Sequence, residues 1–241
     1  MKRYTDLFVD FDDTIYDTHG NADVALDELF ALYGLDEYFD DRDYFHINYW
    51  KTNNCLWDMY AQGQLDRDFL IVERFRRPLM LGRNQQGEPF LPSLELCRQM
   101  SDSFLSLCSE KSATVPDAHE VMSYLKEKGY RIHMCSNGFH EVQYKKMKAS
   151  QLDVYFDTVV LSEDAGANKP SPEFFHYAFK KTSAIPATTV MIGDNYRTDI
   201  AGASGVGIDT IFFNRNPNSL TISVPSTIEI RALKDLYNIL L

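Results

Sequence analysis

Tyr4-Thr5-Asp6-Leu7-Phe8-Val9-Asp10-Phe11-Asp12-Asp13-Thr14 runs from a short apolar, β-forming stretch straight into an acidic cluster. That texture predicts a buried parallel strand from Tyr4 to Asp10 that feeds a loop. Beyond Pro116 the pattern alternates, starting with a helix over 117–128 whose stripe includes Val121, Met122 and Leu125 and which stops at Gly129. Strand 130–135, helix 140–150, strand 158–161 and helix 172–182 come next. Strand 189–192, helix 198–204, strand 209–213 and a final helix from about Ile230 complete the alternation. Such a series predicts an α/β parallel sheet, which the first strand must join. Between the two regions the pattern is helical, with Val24, Leu26, Leu29, Phe30, Leu32 and Tyr33 at three- and four-residue spacing. Similar stripes follow at Leu56–Tyr60 and Phe69–Phe75, and Gly82–Pro89 reads as a loop. The expected architecture is a doubly wound core of residues 1–16 and 108–241, with residues 17–107 inserted after the first strand as a helical cap.

Composition narrows the functional classes. With 44% hydrophobic and 24% charged residues the chain is globular in character, and no apolar run approaches the length that spans a bilayer. Leu7-Phe8-Val9 is too short for the hydrophobic region of a secretory leader and is interrupted by Asp10, so a cytoplasmic protein without membrane contact is expected. Cys55, Cys97, Cys108 and Cys135 show neither C-x-x-C pairing nor histidine at metal-ligand spacing, which argues against a zinc site or a disulfide framework. The 24 Lys+Arg against 35 Asp+Glu leave a net charge of −11, which repels nucleic acid polymers. A small phosphate ester remains compatible where a metal ion and a few cations neutralise it locally.

Ligands of open α/β sheets bind beyond the carboxyl ends of the strands, and four polar groups fall there. Asp10 and Asp12 lie two apart at the end of the first strand, where a helix-capping turn and a catalytic pair are equally good readings. Ser136-Asn137-Gly138 offers a hydroxyl and backbone N–H groups for an anion, although a plain cap is the commoner role. Lys169-Pro170-Ser171-Pro172 brings a lysine to a rigid turn, and an isolated lysine is usually solvated. Gly193-Asp194 through Asp199 sets two carboxylates five apart after an apolar strand, where capping again explains each one alone. Together they supply nucleophile, anion cradle, cation and metal-binding carboxylates at separate strand ends. Asp10 and Asp194 suit Mg²⁺, which prefers oxygen and takes one or two carboxylates plus a substrate phosphate. A carboxylate can then attack phosphorus in line. Asp12, crowded by Asp10, is expected to hold its proton longer, to protonate the leaving oxygen and later to deprotonate water.

At these residues the chain resembles the haloacid dehalogenase superfamily, through Asp10-x-Asp12-x-Thr14, Ser136, Lys169 and Gly193-Asp194-x-x-x-x-Asp199. The resemblance implies a Rossmann-like core with an inserted all-helical C1 cap, Asp10 as nucleophile, and phosphate held by Ser136, Asn137 and Lys169. It also implies Mg²⁺ on Asp10, the Asp12 carbonyl and Asp194, with Asp199 supporting the metal waters or Lys169. True dehalogenases lack the second aspartate, so Asp12 favours a phosphatase. Asp13 stands where the superfamily commonly has glycine, which matters if the turn needs a positive φ. A branch resembling bacterial house-cleaning nucleoside 5′-monophosphatases tolerates Asp13 and carries stretches similar to Asn53-x-x-Leu56-Trp57-x-x-Tyr60-x-x-Gly63, Arg74-Phe75 and Asn137-Gly138-Phe139. That points to a nucleotide as the phosphorylated metabolite, with Asn53, Trp57 and Arg74 as its contacts. At helical spacing Trp57, Tyr60 and Phe75 each read more readily as cap core than as base-stacking residues, and Arg74 as a surface or structural ion-pair residue. A sugar-phosphate or phosphoglycolate phosphatase, or a phosphosugar mutase, would need the same core. A silent binding protein on this scaffold would be expected to lose one of Asp10, Asp12, Lys169 or Asp194, and a receiver domain has no room for the insertion.

Overall fold

The computed structural model describes residues 3–215 and 227–240; Met1 and Lys2, part of the segment weighed as a leader, lie outside them. Among the described residues, six parallel strands form one sheet: β1 (Asp6–Val9), β2 (Arg131–Ser136), β3 (Thr158–Leu161), β4 (Thr189–Gly193), β5 (Asp209–Phe213) and β6 (Thr227–Ile230). Their order is β3-β2-β1-β4-β5-β6. The chain winds outward from β1 to β3, returns to β4 on the other side of β1 and winds outward again. The reversal leaves a crevice beyond the carboxyl ends of β1 and β4, where doubly wound sheets bind ligands.

Alternation along β1 explains the two layers. Leu7 and Val9 pair in register with Ile132 and Met134 of β2 and with Val190 and Ile192 of β4. All six join one core with Val121, Met122 and Leu125 of the helix α5 (Ala118–Glu127). Phe8, between them, points to the opposite face, where Met191 and Cys135 meet Phe174, Phe175 and Ala178 of the helix α8 (Pro172–Thr182). Successive strand residues face opposite sides, so a strand buried on both faces is apolar on both, as Leu7, Phe8 and Val9 of β1 are; the buried Asp6 at its start is paired with Arg131 at 2.8 Å.

The chain divides into two compact units, Met1–Thr18 with Ser112–Leu241, and His19–Lys111. Within the first unit the outgoing and returning segments are tied by Val115 N–H to Ile15 O at 3.0 Å and Asp17 N–H to Ala113 O at 3.2 Å. The second unit is helical: α1 (Thr18–Leu32), α2 (Arg42–Ala61), α3 (Arg67–Leu79) and α4 (Leu94–Glu110). Side-chain caps at Asp41, Asp66 and Ser93 start α2, α3 and α4. Leu26, Leu29, Phe45, Tyr49, Phe75, Leu79 and Phe104 fill its core.

Three expectations change. Val24 and Leu32 are 49% and 67% exposed, because the buried face of α1 is Ala22, Ala25, Leu26, Leu29 and Phe30. The helix expected over 198–204 is a π-helical turn, Tyr196–Ala201, that runs into the short α9 (Gly202–Gly205). In place of a final helix from Ile230, the alternating Thr-Ile-Glu-Ile of β6 adds a strand. A 3₁₀ turn, Leu233–Asn238, then seats Leu233 and Leu236 in the α5-side core. The remaining helices are α6 (His140–Ala149) and α7 (Ser162–Ala165).

Phe8→Ala should cost about 3–5 kcal/mol in urea unfolding, since it empties a fully buried site in the central strand. Leu32→Ala should stay within about 0.5 kcal/mol. A large loss at Leu32 would contradict the observed face of α1.

Candidate active site

The polar groups of the crevice sit at strand ends and on the segments that follow them. Asp10 follows β1 directly, and its N–H donates to Ile192 O at 2.9 Å, locking it against β4. Lys169, in the loop between α7 and α8, is buried and spans three elements: its Nζ lies 2.7 Å from Asp10 Oδ1, 2.6 Å from Asp199 Oδ1 and 2.7 Å from Cys135 O. Asp199 sits in the π-helical turn and accepts from Asn195 N–H through its other oxygen at 3.1 Å. A Cβ on Gly193 would run into the Asp199 carboxylate, so only glycine admits this approach.

Thr14 links the other carboxylates. Its hydroxyl lies 3.1 Å from Asp10 Oδ2 and 3.2 Å from Asp194 Oδ1, and it accepts from Asp194 N–H at 3.1 Å. The turn that delivers it has Asp13 at φ 58°, the left-handed conformation that the superfamily's usual glycine would meet without strain. Aspartate is among the residues that tolerate it best. Arg215 lies 3.4 Å from both the Asp13 carbonyl and its carboxylate.

Asp10, Asp194 and Asp199 bring one carboxylate oxygen each to within 4.8 Å of one another, the one such group among the described residues. Burial pushes Asp10 up to about 7, with Asp199 and Asp12 adding to the rise and Lys169 opposing it. Asp194 is likewise raised, by burial first and then by Asp10, Asp199 and Asp13. Burial alone would lower Lys169, but Asp10 and Asp199 more than reverse this and hold its ammonium above its usual range. The carboxylates therefore exceed the positive charge beside them, and an all-oxygen cluster short of cations fits a hard divalent ion.

Asp12 differs from the expectation. Although burial opposes its charge, Lys146 and the hydrogen bonds from Lys146, Thr18 and Gln143 hold its carboxyl below the usual range. The nearest cation outweighs the crowding by Asp10 that favoured a retained proton. Ser136 Oγ lies 3.4 Å from Asp12 Oδ2 and accepts from Gly138 N–H at 3.0 Å. Asn137 is engaged at both ends of its amide: Nδ2 donates to Lys169 O at 2.9 Å and Oδ1 accepts from Lys169 N–H at 2.8 Å. In this arrangement it fastens the lysine loop to β2.

The structure thus brings together Asp10, Asp12, Ser136, Asn137, Lys169, Asp194 and Asp199, and adds Thr18, Gln143 and Lys146. The last two were missed because a helical Gln and Lys three apart look like solvated surface; their signal is the interruption of the inward face Val142, Gln143, Lys146, Met147. Asn53, Trp57 and Arg74 belong to the other unit. Asn53 is buried on α2, and Trp57, one turn on, packs edge-on to Tyr60 at 5.5 Å between ring centres. Arg74 is buried on α3, donating to Ser101 Oγ and lying 5.5 Å and 5.1 Å from the ring centres of Phe75 and Phe104.

The chain is similar to several known proteins. YfnB of Bacillus subtilis is 31% identical, the match covering 100% of this chain and 97% of YfnB. The crystal structure of YfnB bound to magnesium superposes with a TM-score of 0.83 at 28% identity, covering 99% of each chain. The pyrimidine 5′-nucleotidase PynA of Streptococcus pneumoniae is 26% identical over 98% of this chain and 95% of its own. A glyceraldehyde 3-phosphate phosphatase of Methanothermobacter thermautotrophicus is 27% identical over 86% of this chain and 84% of its own. The family model for haloacid dehalogenase-like hydrolases matches residues 7–207, and the chain belongs to that family.

Proposed function

We propose that this hydrolase is a Mg²⁺-dependent phosphomonoesterase that works through a phosphoaspartate on Asp10 and prefers nucleoside 5′-monophosphates. The observation that carries the reading is the buried Lys169 bridging Asp10 and Asp199 beside Asp194, with Asp12 next to Ser136. Asp10 and Asp194, together with the Asp12 carbonyl, would hold the ion, with Asp199 behind them. Bound Mg²⁺ would neutralise phosphoryl oxygens and lower the charge that opposes attack by a carboxylate.

The chain's own residues supply the rest. Lys169 holds the Asp10 carboxylate by one oxygen and contributes positive charge beside the phosphoryl group. Ser136, at the end of β2, and backbone N–H groups of the loop between it and α6 would receive a phosphoryl oxygen. As the Asp10 oxygen bonds to phosphorus, the ester P–O bond breaks, and Asp12 delivers a proton to the departing oxygen. Asp12 then takes a proton from the water that attacks the phosphoaspartate, which releases inorganic phosphate and restores Asp10. A phosphate dianion entering beside Asp12 competes for its cations and favours the protonated form that the first step needs.

The nucleotide preference is supported by the likeness to PynA along nearly the whole chain and by the Asn53–Trp57 stretch. The glyceraldehyde 3-phosphate phosphatase supports the second reading, a small sugar phosphate.

A turnover screen with Mg²⁺ tests the choice. Nucleoside 5′-monophosphates should exceed sugar phosphates in kcat/KM, and Trp57→Ala should lower nucleotide turnover by about tenfold relative to turnover of p-nitrophenyl phosphate. A preference for sugar phosphates would establish the second reading.

Metal affinity should depend on pH. With Asp10 raised to about 7, an ion must displace its proton at lower pH, so affinity is full above that value and falls as pH drops through it. Calorimetric titration with Mg²⁺ should show weakening of about fivefold between about pH 7 and about pH 6. Equal affinity across that window would contradict displacement of a proton from Asp10 by the ion.

A further inference from the structure

The Asp12 carboxylate is gripped through both of its oxygens. Lys146 Nζ lies 2.7 Å and Thr18 Oγ1 2.6 Å from Oδ1, while Gln143 Nε2 lies 2.6 Å from Oδ2. Gln143 is fully buried and Lys146 is 8% exposed, both on the inward side of α6 between Val142 and Met147. An ammonium and an amide placed there lose hydration that only specific partners can replace. Their partners are residues of the site. Gln143 Nε2 also reaches Ser136 Oγ at 2.7 Å, so one amide joins Asp12 to the serine of the neighbouring strand end. The Gln143 side chain lies so close over Gly138 that a Cβ there would collide with it. Lys146 Nζ also lies 5.1 Å from the centre of the Tyr16 ring.

The two buried lysines divide the work. Lys169 is bonded to Asp10, Asp199 and a backbone carbonyl, whereas Lys146 is bonded to Asp12. We infer that Gln143 and Lys146 are positioning residues that fix the Asp12 carboxylate at the angle proton transfer requires. The inference rests on the phosphoaspartate reading. An aspartate side chain free to change rotamer would spend much of its time out of line, and small misplacements at a reacting centre cost rate steeply. Loss of the grip should therefore harm the steps that use Asp12, protonation of a poor leaving group and activation of water. It should spare attack by Asp10 on an ester whose leaving group needs no proton.

The test compares Lys146→Met, Gln143→Met and Lys146→Arg with the wild type on p-nitrophenyl phosphate and on an alkyl phosphate. Acid-quenched phosphoenzyme is measured alongside kcat and KM, and circular dichroism confirms the fold. For Lys146→Met, kcat on the alkyl phosphate should fall at least about tenfold with KM within about twofold. The phosphoenzyme fraction on p-nitrophenyl phosphate should rise, because formation continues while hydrolysis slows. Gln143→Met should show the same pattern more weakly, which keeps the test decisive if Lys146→Met does not fold, and Lys146→Arg should recover most of the rate. A purely structural pair would leave the phosphoenzyme fraction unchanged. Unchanged kcat and phosphoenzyme in both methionine variants, or a rise confined to KM, would overturn the inference while leaving the phosphoaspartate reading intact. A wild type that forms no phosphoenzyme would overturn both.

Discussion

The Lys169 ammonium, buried between Asp10 and Asp199, is the contact on which the rest of the site depends. Three carboxylates whose oxygens crowd within 4.8 Å repel one another, and burial raises the cost of charging them. One lysine shared by two of them, with its third bond to Cys135 O, offsets part of that cost and ties the ends of β1 and β2 to the π-helical turn that follows β4. Removing one partner from such a cluster leaves an uncompensated buried charge, which typically costs about 3–5 kcal/mol. The charge that remains unbalanced is what a divalent ion and a phosphate would complete.

Topology puts those groups within reach of each other. Because the sheet reverses its winding at β1, residues far apart in the chain end neighbouring strands: Asp10 after β1, Ser136 at the end of β2 and Asp194 after β4. Leu7, Phe8 and Val9 are packed alternately into the two core layers, so the nucleophile candidate stands on a strand held from both faces. Glycine at 193 admits Asp199 against the strand end, and the left-handed Asp13 turns Thr14 back toward Asp10 and Asp194. Each device is local, yet all aim at one crevice.

The core strands and the acidic residues were legible because both follow short-range rules. A buried parallel strand must be apolar, and polar residues at its carboxyl end have few other reasons to cluster. Val24 and Leu32 were misplaced because three- and four-residue spacing admits more than one face of α1, and packing by Ala22 and Ala25 chose between them. The strand β6 was missed because four residues carry too little periodicity to separate it from the turn that follows. Lys146 and Gln143 escaped because their role depends on a partner more than a hundred residues away, Asp12, and no spacing within α6 encodes that. The same long-range pair reversed the expected proton preference of Asp12.

The most direct test of the central claim is chemical trapping during turnover of p-nitrophenyl phosphate, whose leaving group needs no proton. Borohydride reduces an acyl phosphate, so a phosphoaspartate would be left as homoserine at its position in the peptide map. The account predicts homoserine at position 10 in the wild type and in Asp12→Asn, and none in Asp10→Asn. Turnover at the wild-type rate with residue 10 never trapped, or trapping at another residue, would contradict it.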